Sequence, residues 1–149
     1  MAMTMNGEVQ LAAPREVVWV KLNDPEILKQ CIPGCEELNK ASDTEFQAVA
    51  TIKIGPVKAR FKGKVQLSDI DPPNGYKISG EGEGGVAGFA KGGAVVKLTE
   101  KDGGTLLSYD VESQIGGKLA QLGQRLVQGT AKKLADDFFN KFAAAVTAA

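Results

Sequence analysis

Histidine is absent from all 149 residues of this chain. With it go the commonest general base, the usual partner of a serine or cysteine nucleophile, and the commonest metal ligand. Enzyme chemistry would have to rest on carboxylates, lysine, tyrosine or a thiol alone. Net charge is absent too, because 18 lysines and arginines balance 18 aspartates and glutamates. No global field steers the chain toward nucleic acid. Cysteine is scarce, at two residues. The start, MAMTMNG, lacks the charged and apolar segments of an export signal. Together these imply a reducing, cytoplasmic setting. Long apolar runs are missing as well. The longest stretch without a charge is the eight residues from Phe142 to Ala149, whereas a spanning helix needs about 20. What remains is an ordinary globular composition, 43% hydrophobic and 24% charged. It is enough for one domain, residues 1–149, with a real core.

Periodicity orders the elements. Glu8 to Ala12 reads as a short strand ending at Pro14. Pro14 can open a helix carrying Val17, Val18 and Leu22, with Trp19 beside them. Asn23-Asp24-Pro25 ends it and starts a second short helix, with Asp24 as N-cap and Pro25 at the first position. That helix carries Ile27 and Leu28 and stops before Pro33-Gly34. Glu36 to Lys40 could add a short strand. Successive alternating strands follow, through Phe46 to Ile54, Val57 to Leu67, the Tyr76 to Leu98 hairpin, and Leu107 to Ile115. Turn signals at Gly55-Pro56, at Asp71 to Gly75 and at Asp102 to Gly104 separate them. The last segment predicts one long helix, from about Lys118 to Val146. Its apolar stripe runs Leu119, Leu122, Leu126, Thr130, Leu134, Phe138, Phe142 and Val146. Asp137 and Lys141 on its opposite face form an i,i+4 pair worth roughly 0.2–0.5 kcal/mol. The expected fold class is α+β: a curved antiparallel sheet of about six to seven strands around a long C-terminal helix, with two short helices after the first strand.

One face of the hairpin is nearly bare. Gly80, Gly82 and Gly84 on one arm and Ala90, Gly92 and Ala94 on the other should share it. Strand glycines pack nothing, so such a face either admits another backbone closely or leaves open space. The reading adopted is space: an apolar pocket between helix and sheet. Trp19, Phe46, Phe61, Phe89 and Tyr109 would line or gate it, with Leu119, Leu122 and Leu126 as its floor.

Other motifs carry less. Cys31-Ile32-Pro33-Gly34-Cys35 offers two thiols where a zinc ribbon needs four ligands, and its spacing is not C-x-x-C. Buried thiols beside a turn account for it, and no metal or cofactor is expected. Gly80 to Gly85 matches G-x-G-x-x-G in form, but a strand pattern follows it instead of a helix, and Glu81 and Glu83 would repel phosphate. Lys58, Arg60, Lys62 and Lys64 form a cationic row on one strand. Either it is a solvated face partly neutralised by Glu81 and Glu83, or it docks on anionic lipid as a peripheral membrane contact. Asp69/Asp71 and Asp136/Asp137 read as solvated acids.

Asn23-Asp24-Pro25 and Cys31-Ile32-Pro33-Gly34-Cys35-Glu36, together with the glycine-rich Gly80 to Gly93 and the stretch Gly116 to Val127, resemble the G-subunit family of carbon monoxide dehydrogenase. The resemblance covers nearly the whole chain. It implies the helix-grip fold of START, polyketide-cyclase and birch-pollen-allergen-like domains, built around an apolar cavity. It further implies an accessory protein of a molybdenum-containing carbon monoxide dehydrogenase or related hydroxylase, tethering that enzyme to the cytoplasmic membrane and engaging its quinone pool. It supplies no catalytic motif. Some members continue into an apolar tail, whereas this chain stops at Ala149, so anchoring by its own tail is not expected. The leading expectation is a non-enzymatic binding module for a quinone or lipid beside such a dehydrogenase. A cyclase- or hydrolase-type enzyme would have to use Tyr109 or Glu112. A structural adaptor with a filled core is the third reading.

Overall fold

In the computed structural model, which describes residues 1–147, an extended strand β1 (Ala2–Leu11) precedes two short helices, α1 (Arg15–Leu22) and α2 (Pro25–Cys31). Asp24 caps α2: its carboxylate accepts from the Glu26 N–H at 2.9 Å, with Pro25 at the first helical position. Six strands follow: β2 (Cys35–Ser42), β3 (Glu45–Ile54), β4 (Val57–Asp71), β5 (Gly75–Glu83), β6 (Phe89–Lys101) and β7 (Gly104–Gly116). A 3-10 turn at Gly85–Ala87 links β5 to β6. The seven strands make one antiparallel sheet in the order β1-β7-β6-β5-β4-β3-β2. Consecutive strands from β2 to β7 pair as a meander, and β1 closes onto β7. The first strand is therefore longer than Glu8 to Ala12, because its register with β7 begins at Ala2 opposite Gln114.

The terminal helix is not continuous. Gly123 has φ +93°, a left-handed conformation that a helix interior does not accommodate. It splits the segment into α3 (Lys118–Gln121) and α4 (Gln124–Thr147). Ala148 and Ala149, the end of the apolar C-terminal run, lie outside the described residues. On α4 the ion pairs are Lys132–Asp136 at 3.3 Å and Lys133–Asp137 at 3.7 Å, so Asp137 pairs one turn back, not forward with Lys141. All four side chains reach solvent, which limits each pair to tenths of a kcal/mol.

Two apolar clusters hold helix and sheet together. The larger contains Leu11, Val18, Leu67, Leu98, Leu107, Phe142 and Val146. The smaller gathers Met3, Ile115, Leu119 and Val127, with Phe61 and Leu122 against them. Two polar contacts fix the short helices. The buried Thr105 hydroxyl donates to the Ala13 carbonyl at 2.7 Å, so that hydroxyl is satisfied in the core. The Lys21 ammonium donates to the Ala145 carbonyl at 2.5 Å, joining α1 to the last turns of α4, where a cation is favoured.

Candidate functional site

Between α4 and the sheet, at the end closed by α2, lies an apolar cavity of about 290 Å³. The sheet contributes Phe46, Val65, Ile78, Val96 and Leu107, all from the inward side of the pleat. Leu28 and Ile32 close it from the segment of α2, and Leu38 from β2. Phe138 and Phe139 of α4 form its floor. Their rings are fixed by neighbours: Phe138 stacks on Phe142 at 5.7 Å, and Phe139 stacks on Tyr109 at 5.2 Å. Tyr76 carries the sole polar side chain of the lining, and its ring meets Trp19 edge-on at 5.2 Å. A lining of this kind suits apolar molecules and discriminates by size and shape more than by polar recognition.

Of the eight residues expected from sequence, Phe46 lines the cavity. Trp19 and Tyr109 stand one layer behind it, supporting Tyr76 and Phe139. Phe61, Leu119 and Leu122 belong to the second apolar cluster. Phe89 is 42% exposed and lies over Gly116, while Leu126 is 39% exposed and rests against Gly55. The floor is therefore Phe138 and Phe139, and the expected Leu119, Leu122 and Leu126 lie elsewhere. For Leu119 and Leu122 the physical reason is the break at Gly123, which separates the first helical turn from the face that α4 lays on the sheet, whereas Leu126, beyond the break, rests against the β3–β4 turn at Gly55. Leu28, Ile32, Leu38, Phe138 and Phe139 were missed. The adjacent phenylalanines at 138 and 139 were the available signal, because a second ring beside the stripe widens the buried face.

The bare hairpin face does not border the apolar cavity. At Gly84 the Phe61 ring already fills the space, 2.5 Å from where a Cβ would stand. At Gly92 a Cβ would overlap the Glu112 carbonyl oxygen. Only Gly82 keeps room, with the Lys62 carbonyl oxygen at 3.8 Å. Close approach thus explains Gly84 and Gly92, and the expectation of hollow space at those positions is corrected. Gly80, Gly92 and Gly93 instead border an open groove of about 660 Å³ whose other walls include Lys64, Glu81, Lys91 and Glu112. That groove is larger but wet and charged, so the smaller apolar chamber is the better ligand site.

The enzymatic candidates are poorly placed. Glu112 is exposed. The Tyr109 hydroxyl lies against Gly7, 2.5 Å from where a Cβ there would stand, and so faces β1. Cys31 is buried and Cys35 half-buried, both as free thiols. Burial pushes both thiols up from their ordinary value, which keeps them protonated and weakly nucleophilic. Among the described residues no group of three or more metal-ligating side chains gathers.

Burial also pushes the Tyr76 phenol up to about 12. Its ionised form is disfavoured in the folded state, while the unfolded chain ionises near 10. The stabilising contribution is complete below pH 10 and is lost as pH rises toward 12. Urea unfolding at pH 9 and pH 11 should therefore show a loss of about 1.4 kcal/mol at the higher pH. Tyr76→Phe should remove that loss, and an unchanged pH dependence in the variant would assign it to other groups.

A sheet gripping a C-terminal helix around an apolar chamber is the helix-grip class of domain. The family model of the carbon monoxide dehydrogenase G subunit (CoxG) matches residues 7–147. The chain belongs to that family, whose name denotes an accessory subunit. Among solved structures, a conserved protein from Geobacillus kaustophilus is 39% identical over 97% of this chain and 95% of its own, with a TM-score of 0.90. The Zhui aromatase/cyclase from Streptomyces sp. R1128 is 12% identical, covering 98% of this chain and 94% of its own, with a TM-score of 0.71. A Thermus thermophilus protein is 16% identical over 97% of both chains, also at 0.71. At those lower identities the likeness concerns the fold alone. A search of curated proteins finds no match.

Proposed function

We propose that this chain is a non-enzymatic accessory protein that carries an apolar ligand, a quinone or lipid, in the chamber between α4 and the sheet. It would act beside a molybdenum-containing carbon monoxide dehydrogenase-like enzyme and help recruit it to the membrane. The observation that carries the reading is the cavity of about 290 Å³ walled by aliphatic and aromatic side chains. Its volume lies just below the range of about 300–1,000 Å³ for ligand sites. A ring system or a short branched chain fits inside, and a longer isoprenoid tail would have to leave through the mouth. The family name supports the partner. The cyclase-type reading has the fold of the Streptomyces enzyme in its favour, but a lining with one polar side chain gives it little to work with.

Val96 lines the chamber and is buried. Val96→Phe should fill much of the space with the protein's own ring while leaving the fold intact. Native mass spectrometry of the wild-type protein should find a bound isoprenoid or fatty molecule. Fluorescence titration with 2-methyl-1,4-naphthoquinone should show binding that falls at least about tenfold in Val96→Phe, or 1.4 kcal/mol. A wild-type protein that purifies empty and ignores the naphthoquinone would remove the carrier reading.

A further inference from the structure

The neutral total charge conceals a polar distribution. Three stretches, 46–64, 84–92 and 115–135, contain no acidic residue and ten lysines and arginines. The structure brings parts of all three together where the β3–β4 turn, the β5–β6 connection and the β7–α3 junction meet. There the Phe61 ring fills the space at Gly84, Leu126 rests against Gly55 in the β3–β4 turn, and Gly117 packs on Gly88. Several of these cations are answered. Arg60 pairs with Glu36 at 3.1 Å, Lys62 and Lys64 stand opposite Glu83 and Glu81 in the β4–β5 register, Lys91 stands opposite Glu81 in the β5–β6 register, and Lys132 and Lys133 pair along α4. Four have no acidic partner among the described residues. Lys53 and Lys58 face each other at the β3–β4 tip, Lys118 opens α3, and Arg125 lies in the first turn of α4. All four are exposed. The same region carries three of the chain's exposed large apolar side chains: Val86 at 84%, Phe89 and Leu126.

We infer that this tip is a docking surface for an anionic lipid bilayer, with Lys53, Lys58, Lys118 and Arg125 facing the headgroups and Val86 and Phe89 entering the interface. The chemistry favours lipid over a protein partner on two counts. The unanswered charges are of one sign and spread around the tip, which suits a diffuse anionic plane better than a discrete complementary face. Val86 projects from a short turn between glycines and packs on little, as a shallow interfacial anchor would. The cationic row anticipated on β4 contributes mainly Lys58, because its other members are answered by acids. None of Lys53, Lys58, Val86, Phe89, Lys118 and Arg125 lines the apolar cavity. This inference deepens the recruitment part of the proposed function and is independent of what the cavity holds. A chain that docks without carrying ligand, or carries without docking, separates the two.

The test is sedimentation of the full chain with vesicles of one part phosphatidylglycerol to two of phosphatidylcholine, against pure phosphatidylcholine. Binding is expected to the first only, and to fall in high salt, where the screening length shrinks to about 3 Å at 1 M. Each lysine or arginine replaced by glutamine should weaken binding about fivefold, and the combined Lys53→Gln, Lys58→Gln, Lys118→Gln, Arg125→Gln variant by more than about 100-fold. These positions are exposed, so circular dichroism should be unchanged. Val86→Trp adds a probe that should shift to the blue on binding. Equal binding to both vesicles, no binding to either, an undiminished quadruple variant, or a tip that recognises only a protein would each overturn the inference.

Discussion

Phe142→Ala should lower the stability of this protein by about 3–5 kcal/mol. Phe142 is fully buried, at 0% exposure, and its ring stacks on Phe138 at 5.7 Å. Truncation removes the transfer free energy of a whole ring and leaves a void. The surroundings cannot close that void easily, because one side is a hydrogen-bonded sheet and the other a helix of 24 residues. The loss is a large fraction of the total stability typical of a domain, about 5–15 kcal/mol. It should appear as a lower urea midpoint at unchanged slope, and as a melting temperature reduced by roughly 9–16 °C. The void lies beside the existing chamber, through Phe138, which belongs to both. Small apolar molecules such as benzene should then restore part of the lost stability by binding the folded state alone. A loss below about 1 kcal/mol would mean that α4 slides or repacks to fill the site, and the cavity could not then be the rigid chamber proposed above.

The same helix shows what the sequence could and could not disclose. Its stripe through Phe138, Phe142 and Val146 was legible, because a 3.6-residue period states which face is buried. So were the strand order and the capped start of α2, because Asp24 and Pro25 act on their own local backbone. β1 was read only from Glu8 onward, although Met3 and Met5 alternate with Thr4 and Asn6 as Val9 and Leu11 do with Glu8 and Gln10. Gly7 interrupts the apolar series, and the pairing with β7 begins the strand at Ala2. The site itself was mostly illegible. Alternation gives the face on which a residue lies but not which neighbour from another strand leans across it. Phe61 on β4 fills the gap at Gly84, just beyond β5, and nothing local to either position announces that. Leu119 and Leu122 were placed on the wrong part of the helix for a related reason. A single glycine with positive φ at position 123 redirected the stripe before it reached the chamber. Leu28, Ile32 and Leu38 reach the cavity by tertiary docking of α2 and β2, which composition cannot reveal. The charge asymmetry of the tip was present in the sequence as three acid-free stretches, but only the fold made them neighbours.

Gly92→Ala should destabilise the protein by about 3 kcal/mol or more, at the upper end of the cost of overpacking, whereas Gly82→Ala should stay within about 1 kcal/mol of wild type. Both glycines occupy the same sheet face, and by composition they are equivalent. Their surroundings are not. A Cβ at Gly92 would overlap the Glu112 carbonyl oxygen and stand 2.7 Å from the Ser113 Cα. These are backbone atoms, held in the β6–β7 ladder in which Gly92 faces Ser113, so they cannot swing aside as a side chain can. Relief requires β6 and β7 to part, at the cost of ladder hydrogen bonds in a strand that also carries β1. A Cβ at Gly82 would meet only the Lys62 carbonyl oxygen, at 3.8 Å, an ordinary contact. There the loss of unfolded-state freedom works in favour of alanine. Paired chemical denaturation of the two variants reads the difference directly. It also decides how ligand experiments on this protein should be built. A bulky residue at Gly92 would abolish binding by opening the sheet, not by filling a pocket, whereas Val96→Phe blocks the chamber from a side chain that already lines it. Should both glycine variants prove equally mild, β6 and β7 would have slack between them, and the hollow face first read from the glycine spacing would have to be reconsidered.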